Sequence, residues 1–395
     1  MKNISTAAYR FERDTTMLMT PLRQRATSLK RLMAPGAQMP VYLLMFVTNR
    51  CNAKCEHCFY WSELNTKVKE ELSVPEFDSL AKNLGPMLQV TFTGGSPELR
   101  KDLPDIVERF YSYCRPANMT FCMLGHATAR IVEHVTEILK RCPGQKVKIG
   151  ISLDGLGEDH DKLRGIPGLF DKVVATVREL AELRKQYPNL RVDIGMTVHG
   201  MNYKNVGEAA RWVRANLPVD VLKPILVRGN PLNAKTIDDV CKTTYLSVID
   251  RDSPWLKGTD RTGEFTPWDF LVHSKEKVSR DIVAETSHSK TAPLLCAGGR
   301  ETAVIYPTGD VAGCELRGDV LGNLRDHAFD FRKIWFGGKA NHFRATSGQV
   351  PECKGCYHHC FISPAIFRTP KMWARMAEAA WDIHNNLNSG SQLEA

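Results

Sequence analysis

The sequence contains no long hydrophobic run. Its longest apolar stretch is Val41–Val47, whereas a transmembrane helix needs ~20 predominantly apolar residues. The N-terminal residues Met1–Ser5 also lack the apolar core of a secretion signal. The sequence therefore predicts a cytoplasmic protein without a membrane partner.

Dense positive charge is missing as well. The formal net charge of +9 is modest for 395 residues, and no segment has the clustered Lys and Arg of a nucleic-acid-binding surface. The basic residues near the N-terminus are typical of a solvated helix face, with contact to an acidic partner as the alternative: Arg23, Arg25, Lys30 and Arg31. No nucleic-acid partner is predicted, and the chain has no internal repeat or low-complexity tract.

Cysteine is the residue type that this sequence has in quantity, with twelve in the chain. In a reducing compartment, thiols serve metal binding or catalysis rather than disulfides. Cys51, Cys55 and Cys58 have the spacing C-x3-C-x2-C directly after an apolar run. Three thiolates on a four-iron cubane leave one iron without a protein ligand, and an open coordination position distinguishes a reactive metal centre from a structural one. A zinc site or buried free thiols are the alternatives.

Short apolar runs alternate with amphipathic segments in the first part of the chain. Strands are predicted at 41–47, 88–93, 118–123, 147–153, 191–198 and 221–227. Helices are predicted at 73–84, 102–113, 129–141, 169–187 and 205–216. This repeated strand–helix order is typical of a parallel sheet with crossover helices, in which reactive groups lie on loops at the carboxyl ends of the strands.

The composition divides the chain into five parts. We predict an N-terminal leader (1–40), a barrel core (41–230), an irregular connector with an amphipathic piece near 271–285 (231–292), a second cysteine-containing domain (293–370) and a C-terminal helix with a polar tail (371–395).

The cysteine triplet, the strand before it and the aromatic residues after it resemble the cluster loop of the radical S-adenosylmethionine (SAM) superfamily. The resemblance implies an α/β fold, a partial (β/α)6 TIM-like barrel, in which the open iron of a [4Fe-4S] cluster binds SAM. It also implies that Cys51, Cys55 and Cys58 are the cluster ligands and that Tyr60 contacts the cofactor.

A glycine pair follows the second predicted strand, in Thr91–Pro97. Such a pair lets backbone approach a ligand closely. The turn is similar to the Gly-Gly-Glu-Pro turn of the superfamily, whose backbone meets the amino group of SAM. The resemblance implies SAM contacts for Gly94, Gly95 and Ser96, although Ser96 replaces the family's glutamate.

The fourth predicted strand leads into Ser152-Leu153-Asp154-Gly155, followed by His160–Gly165. This run is similar to one in SAM enzymes with additional C-terminal clusters, and it implies that Ser152 and Arg164 hold the ribose and carboxylate of SAM. An arginine fork suits a carboxylate geometrically. Asp154 is either a ligand contact or a cap of the following turn, and Thr197 of strand five either walls the adenine or belongs to the barrel core.

Five further cysteines occur late in the chain: Cys296, Cys314, Cys353, Cys356 and Cys360. With the hairpin predicted between the first two, they resemble the small α+β SPASM/twitch extension that binds auxiliary [4Fe-4S] clusters. Five cysteines favour one auxiliary cluster. The first four match the twitch spacing, Cys360 is an alternative ligand or a spare thiol, and a four-thiolate zinc site is the alternative for the whole set.

The resemblance implies an enzyme that cleaves SAM reductively to a 5′-deoxyadenosyl radical and abstracts a substrate hydrogen, with an external electron donor such as flavodoxin or ferredoxin. Glu315, directly after Cys314, is the candidate general base, with a solvated hairpin glutamate as the alternative. Segment 1–40 is shorter than the leader-binding domain of peptide-modifying members, which favours a small natural-product or sugar-like substrate. A peptide or protein maturase is the second hypothesis, and a non-catalytic zinc-binding protein a remote third.

Overall fold

The computed structural model describes residues 26–34, 38–66, 70–251, 267–291 and 293–388. The predictions for most of the leader, including Arg23 and Arg25, and for the polar tail at 389–395 lie outside these residues. Among the described residues, no helix combines the length and the apolar character that crossing a membrane requires.

The strands of the described residues form a single sheet in the order β6-β5-β4-β3-β2-β1-β7-β8-β9. Six neighbouring strands are parallel: β1 (Tyr42–Phe46), β2 (Gln89–Thr93), β3 (Asn118–Met123), β4 (Val147–Ser152), β5 (Leu190–Val198) and β6 (Val221–Leu226). A hairpin of β7 (Thr302–Ile305) and β8 (Asp310–Ala312), followed by β9 (Val320–Asn323), completes the sheet.

Crossover helices follow the strands as the sequence predicts. After a short helix α1 (26–33) come α2 (Val74–Leu84), α3 (Leu103–Cys114), α4 (Thr128–Arg141), α5 (Gly157–Arg164), α6 (Leu169–Gln186) and α7 (Val206–Asn216). The later helices are α8 (Val240–Arg251), α9 (Pro267–Ser289), α10 (Phe331–Trp335), α11 (Gly338–Thr346), α12 (His359–Ala365) and α13 (Lys371–Asn388).

Local sequence explains why these segments fold as they do. Helix α2 begins with a capping box, because the side chains of Ser73 and Glu76 satisfy each other's backbone N–H groups. Its apolar residues recur at helical spacing and are buried: Phe77, Leu80, Ala81 and Leu84. The side chains of β3 alternate instead, with Met119, Phe121 and Met123 fully buried against the helices.

The opposite face of the central strands is polar and less buried. Cys122 of β3 is exposed although β3 is an interior strand of the sheet, so the barrel interior is open at this level. Lys148 of β4 pairs with Thr120, two residues before Cys122 on the same face, and Lys223 of β6 forms a 2.5 Å ion pair with Asp193 of β5. The interior thus differs from the aliphatic core that fills many (β/α)8 barrels.

Two features differ from the sequence-based expectation. The connector 231–292 contains two helices, α8 and α9, and α9 packs along α13. The hairpin of the second domain does not form a separate sheet, because β7 pairs in parallel with β1 from Tyr42 and Thr302 onward. The chain divisions at residues 230, 292 and 370 stay predictions.

Candidate active site

The early cysteine loop lies at the carboxyl end of β1, where the parallel-sheet argument places it. Cys51, Cys55 and Cys58 are half-buried free thiols. Burial, together with the nearby charges of Cys55 and Cys51, raises the pKa of Cys58 to about 12. The backbone N–H of Ala53 donates to Cys51 Sγ at 3.4 Å. Three thiols that converge in this way suit a bound metal centre, which would hold them as thiolates.

The glycine turn packs directly on this loop. The Gly95 N–H donates to Thr48 O at 2.8 Å, and the Ser96 N–H donates to Arg50 O at 2.7 Å. A Cβ atom at Gly94 would lie 2.4 Å from Thr48 O, and one at Gly95 would lie 2.2 Å from Arg50 O. Only glycine permits this approach, and the turn and the cysteines therefore share one cradle.

Ser96 and Tyr60 hold the loop from two sides. Ser96 Oγ lies 3.6 Å from Cys51 Sγ. Tyr60 donates to Asn49 Oδ1 at 2.6 Å, and its buried ring stacks 5.8 Å from the ring of Tyr306 in the extension. The SAM contact of Tyr60 stays a prediction, and its hydroxyl already has a partner within the protein.

Asp154 is fully buried and does not cap the following turn. Its Oδ1 accepts from the Thr197 N–H at 2.7 Å, and its Oδ2 accepts from Arg164 Nε at 2.7 Å. Asn202 Nδ2 donates to the backbone oxygens of Asp154 and Thr197 at 2.9 and 2.8 Å. Burial alone would raise the pKa of Asp154, but Arg164 and His57 outweigh it and lower the pKa. Asp154 therefore joins the ends of β4 and β5 to Arg164.

Ser152 and Thr197 are half-buried residues at the ends of β4 and β5. The strand register places both of them at the barrel mouth. Arg164 comes from the end of α5, and its NH1 lies 3.6 Å from Cys55 Sγ. The structure thus brings the predicted SAM-binding residues to the same edge of the sheet as the cysteine triplet.

Four of the five late cysteines form one group. Burial raises the pKa of Cys296 to about 12, and the charges of Cys356 and Cys353 contribute to this rise. Burial also raises the pKa of Cys314, with contributions from the charges of Cys296 and Cys356. Backbone N–H groups of Gly298 and Leu316 donate to Cys296 Sγ and Cys314 Sγ, each at 3.3 Å.

Cys360 stands apart from that group. Burial raises its pKa to about 12, and the charged groups around it are Arg228, Glu315, Cys122 and Glu276, none of which is a late cysteine. The structure therefore favours the spare-thiol alternative for Cys360.

Glu315 is buried and ion-paired. Its Oε1 lies 2.6 Å from His358 Nε2 and 3.1 Å from Arg228 NH2. Burial would raise the pKa of Glu315, but His358 and Arg228 lower it to about 2. A carboxylate with so low a pKa is a weak proton acceptor, and the solvated-glutamate alternative is wrong because the side chain is 4% exposed.

A segment that the sequence did not single out connects the two cysteine regions. This bridging segment, residues 227–233, follows β6. The Leu232 N–H donates to Cys58 O at 3.0 Å, and the Arg228 guanidinium lies over the Phe59 ring at 5.1 Å. On the other side, Tyr357 donates to Val227 O at 2.8 Å. The sequence signal is the turn-forming run Arg228-Gly229-Asn230-Pro231 at a strand end.

Among the described residues, no three His, Cys, Asp or Glu side chains are grouped closely enough to hold a single metal ion. The donor set, thiolate alone in both regions, suits iron–sulfur clusters.

Comparison with known proteins decides the family. The family model described as "Radical SAM superfamily" matches residues 45–213, and that described as "Iron-sulfur cluster-binding domain" (SPASM) matches residues 296–357. Residues 45–213 therefore form a radical SAM domain, and residues 296–357 form an iron–sulfur cluster-binding domain. The first domain is of the kind that binds SAM with a [4Fe-4S] cluster, and the second is of the kind that binds auxiliary iron–sulfur clusters.

Two curated relatives and one solved structure illustrate the likeness. The chain is 29% identical over 209 residues to "Fe-coproporphyrin III synthase" of Methanosarcina barkeri, covering 50% of this chain and 45% of that protein. It is 23% identical over 297 residues to "Antilisterial bacteriocin subtilosin biosynthesis protein AlbA" of Bacillus subtilis, covering 74% and 59%. These matches span about half the length of the relatives.

The structure described as "Native anSMEcpe with bound AdoMet" resembles this chain with a TM-score of 0.54 at 18% identity, covering 90% of this chain and 100% of that one. At this identity the likeness establishes the fold, which is the predicted partial barrel followed by a C-terminal domain.

Proposed function

We propose that this chain is a radical SAM enzyme that oxidises or rearranges its substrate with the help of one auxiliary cluster. The chemistry that the bound cofactors supply is the reductive cleavage of SAM to a 5′-deoxyadenosyl radical, which abstracts a substrate hydrogen. The observation that carries this proposal is the convergence of Cys51, Cys55 and Cys58 at the barrel mouth, in a cradle that only the glycine pair permits.

The residues that would hold SAM surround that triplet. The N–H groups of Gly95 and Ser96 are taken by the cysteine loop, so an amino group would meet the carbonyl side of the turn. Gly94, Gly95, Ser152 and Thr197 would bind and orient the nucleotide, and Tyr60 would support the loop through Asn49.

For the auxiliary cluster we propose the ligands Cys296, Cys314, Cys353 and Cys356. Arg228 and Glu315 would separate this site from the barrel interior and exclude water, because both lie in a buried ion-paired group. The lowered pKa of Glu315 in this ion pair argues for an orienting role of Glu315 rather than proton abstraction.

We propose a small polar substrate. The open interior face carries Lys148 and the ion pair Lys223–Asp193, and these groups would bind charged or hydroxylated parts of a small molecule. A peptide substrate is the second candidate, because a relative whose match covers 74% of this chain and 59% of that relative is named for bacteriocin biosynthesis.

Anaerobic reconstitution tests the proposed activity. We expect about eight irons per chain, from two clusters of four, and SAM-dependent release of 5′-deoxyadenosine under strong reductant. The triple variant C51A/C55A/C58A should retain about half of the iron. It should release no 5′-deoxyadenosine. Release of 5′-deoxyadenosine by that variant, or a colourless zinc protein from anaerobic purification, would contradict the proposal.

A second experiment distinguishes a small-molecule substrate from a peptide substrate. A metabolite extract should stimulate 5′-deoxyadenosine release, and protease treatment of the extract should leave the stimulation unchanged if the substrate is a small molecule. Loss of stimulation after proteolysis would favour the peptide candidate instead.

A further inference from the structure

Arg164 lies between a buried carboxylate and a cysteine of the early triplet. Its Nε and NH2 contact Asp154 Oδ2 at 2.7 and 2.6 Å, and its NH1 lies 3.6 Å from Cys55 Sγ. The side chain of Arg164 is 10% exposed and that of Asp154 is fully buried. The guanidinium is thus held on one side by Asp154 and presents its other side to sulfur.

The backbone around Arg164 is fixed to the same loop. The Lys54 N–H donates to Arg164 O at 3.0 Å, and the Glu56 N–H donates to Leu163 O at 3.1 Å. Gly165 ends α5 at a φ of +69°, and a Cβ atom there would lie 3.3 Å from Lys54 O. The end of α5 is therefore docked on the loop between Cys51 and Cys58, and the guanidinium cannot move independently of the thiols.

Asp154 is equally fixed, because its second oxygen accepts from the Thr197 N–H at 2.7 Å. With Nε and NH2 occupied by Asp154, the free direction of the guanidinium is the one toward Cys55. An arginine that bound only a cofactor carboxylate would not need a contact to a cluster ligand.

The electrostatic consequence follows from where the charge lies. Reduction adds one negative charge to an iron–sulfur cluster, and hydrogen bonds to its sulfur ligands are among the factors that set its reduction potential. A cationic donor in a buried site stabilises the more negative state, and burial keeps solvent from screening it.

We propose that Arg164 donates a hydrogen bond to the Cys55 sulfur and raises the reduction potential of the early cluster, with Asp154 as the residue that positions it. This inference rests on the proposed function only in requiring that Cys51, Cys55 and Cys58 hold a cluster.

The test is an anaerobic redox titration of the reconstituted full chain, followed by electron paramagnetic resonance without SAM. We expect R164Q to lower the midpoint potential of the early cluster. At a fixed potential, the ratio of reduced to oxidised cluster should fall about tenfold, which corresponds to a shift of ~59 mV for one electron. R164K keeps the charge but not the fork, and it should give a smaller fall in the same direction.

The auxiliary cluster serves as the internal control, because its midpoint potential should not change in either variant. R50Q is the matched control for the loss of charge: Arg50 adjoins Cys51, but its side chain is 55% exposed and pairs with Glu71. It should leave the potential close to that of the wild type, because solvent screens its charge.

An unchanged early-cluster potential in R164Q, with only a weaker affinity for SAM, would overturn the inference and leave Arg164 as a carboxylate ligand. Loss of the early cluster from both Arg164 variants, with the auxiliary cluster intact, would also overturn it and assign Arg164 to loop support. Absence of any early cluster in the wild type would instead contradict the proposed function.

Discussion

Glu98 is a buried carboxylate just beyond the glycine turn, with 1% of its surface exposed. Its Oε1 accepts from the Leu124 N–H at 3.0 Å, and its Oε2 has no hydrogen-bond partner among the described residues. Burial raises the pKa of Glu98 to about 7, against an ordinary value of 4.5. The folded state therefore favours the neutral acid, and folding loses stability as the group ionises.

The substitution E98Q should remove this pH dependence, because an amide keeps the acceptor for Leu124 and has no charge to bury. The wild type should lose on the order of 3 kcal/mol relative to E98Q as the pH rises from about 4.5 to about 7, since one pKa unit corresponds to ~1.4 kcal/mol. Anaerobic urea unfolding of both proteins across this range measures the difference. A constant difference between them would show that folding does not raise the pKa of Glu98.

Cys360 permits a second prediction at the same scale. Because its neighbours are Arg228 and Glu315 rather than the other late cysteines, C360A should keep about eight irons per chain. The matched variant C353A should lose up to about half of them. Iron analysis after anaerobic reconstitution tests this prediction. If C360A contained as little iron as C353A, Cys360 would be a cluster ligand.

Among the elements, the glycine turn after β2 has the sharpest steric requirement. A methyl group at Gly95 would lie 2.2 Å from Arg50 O and 3.1 Å from Cys51 Cβ, and neither atom belongs to a flexible side-chain end. We expect G95A to displace the cysteine loop and to lose about half of the iron, while the auxiliary cluster stays.

G338A is the matched control for this change. Gly338 begins α11, and a Cβ atom there would meet nothing within 4 Å. It should bind iron like the wild type. If G95A also retained its full iron content, the turn would not be needed to place the cysteine loop.

The sequence predicted the barrel elements well, because each of their signals is local. The capping box of α2 and the alternation of β3 involve residues close together in the chain, and the six predicted strands agree with β1–β6 within one residue at each end. Helix α8 was missed because its apolar pattern is weak, whereas α9 contains the amphipathic piece that the sequence predicts near 271–285. The pairing of β1 with β7 joins segments some 260 residues apart, and no local signal reports such a contact.

The same distinction holds at the site. The cysteine spacings identified both metal-binding regions, but the surroundings of Glu315 could not be read from its neighbours in the sequence. Arg228 and His358, which lower its pKa to about 2, come from the end of β6 and the start of α12. The sequence therefore identified Glu315 as a candidate, but its ionisation depends on residues that only the fold brings close to it.

In the whole molecule, the two cysteine regions are parts of one structure. The sheet continues from the barrel into the hairpin through β1 and β7, and the bridging segment contacts Cys58 on one side and Tyr357 on the other. Lys148 and Cys122 lie on the polar interior face of the central strands. We expect a substrate bound against this interior face to lie within reach of both proposed metal sites.

The most direct measurement is electron paramagnetic resonance of the reduced variant C353A/C356A, which leaves only the early site loaded, before and after addition of SAM. Three thiolates leave one iron open, and SAM should therefore change the spectrum of that cluster when it binds there. A spectrum that SAM leaves unchanged, or a variant without any reducible cluster, would contradict the account.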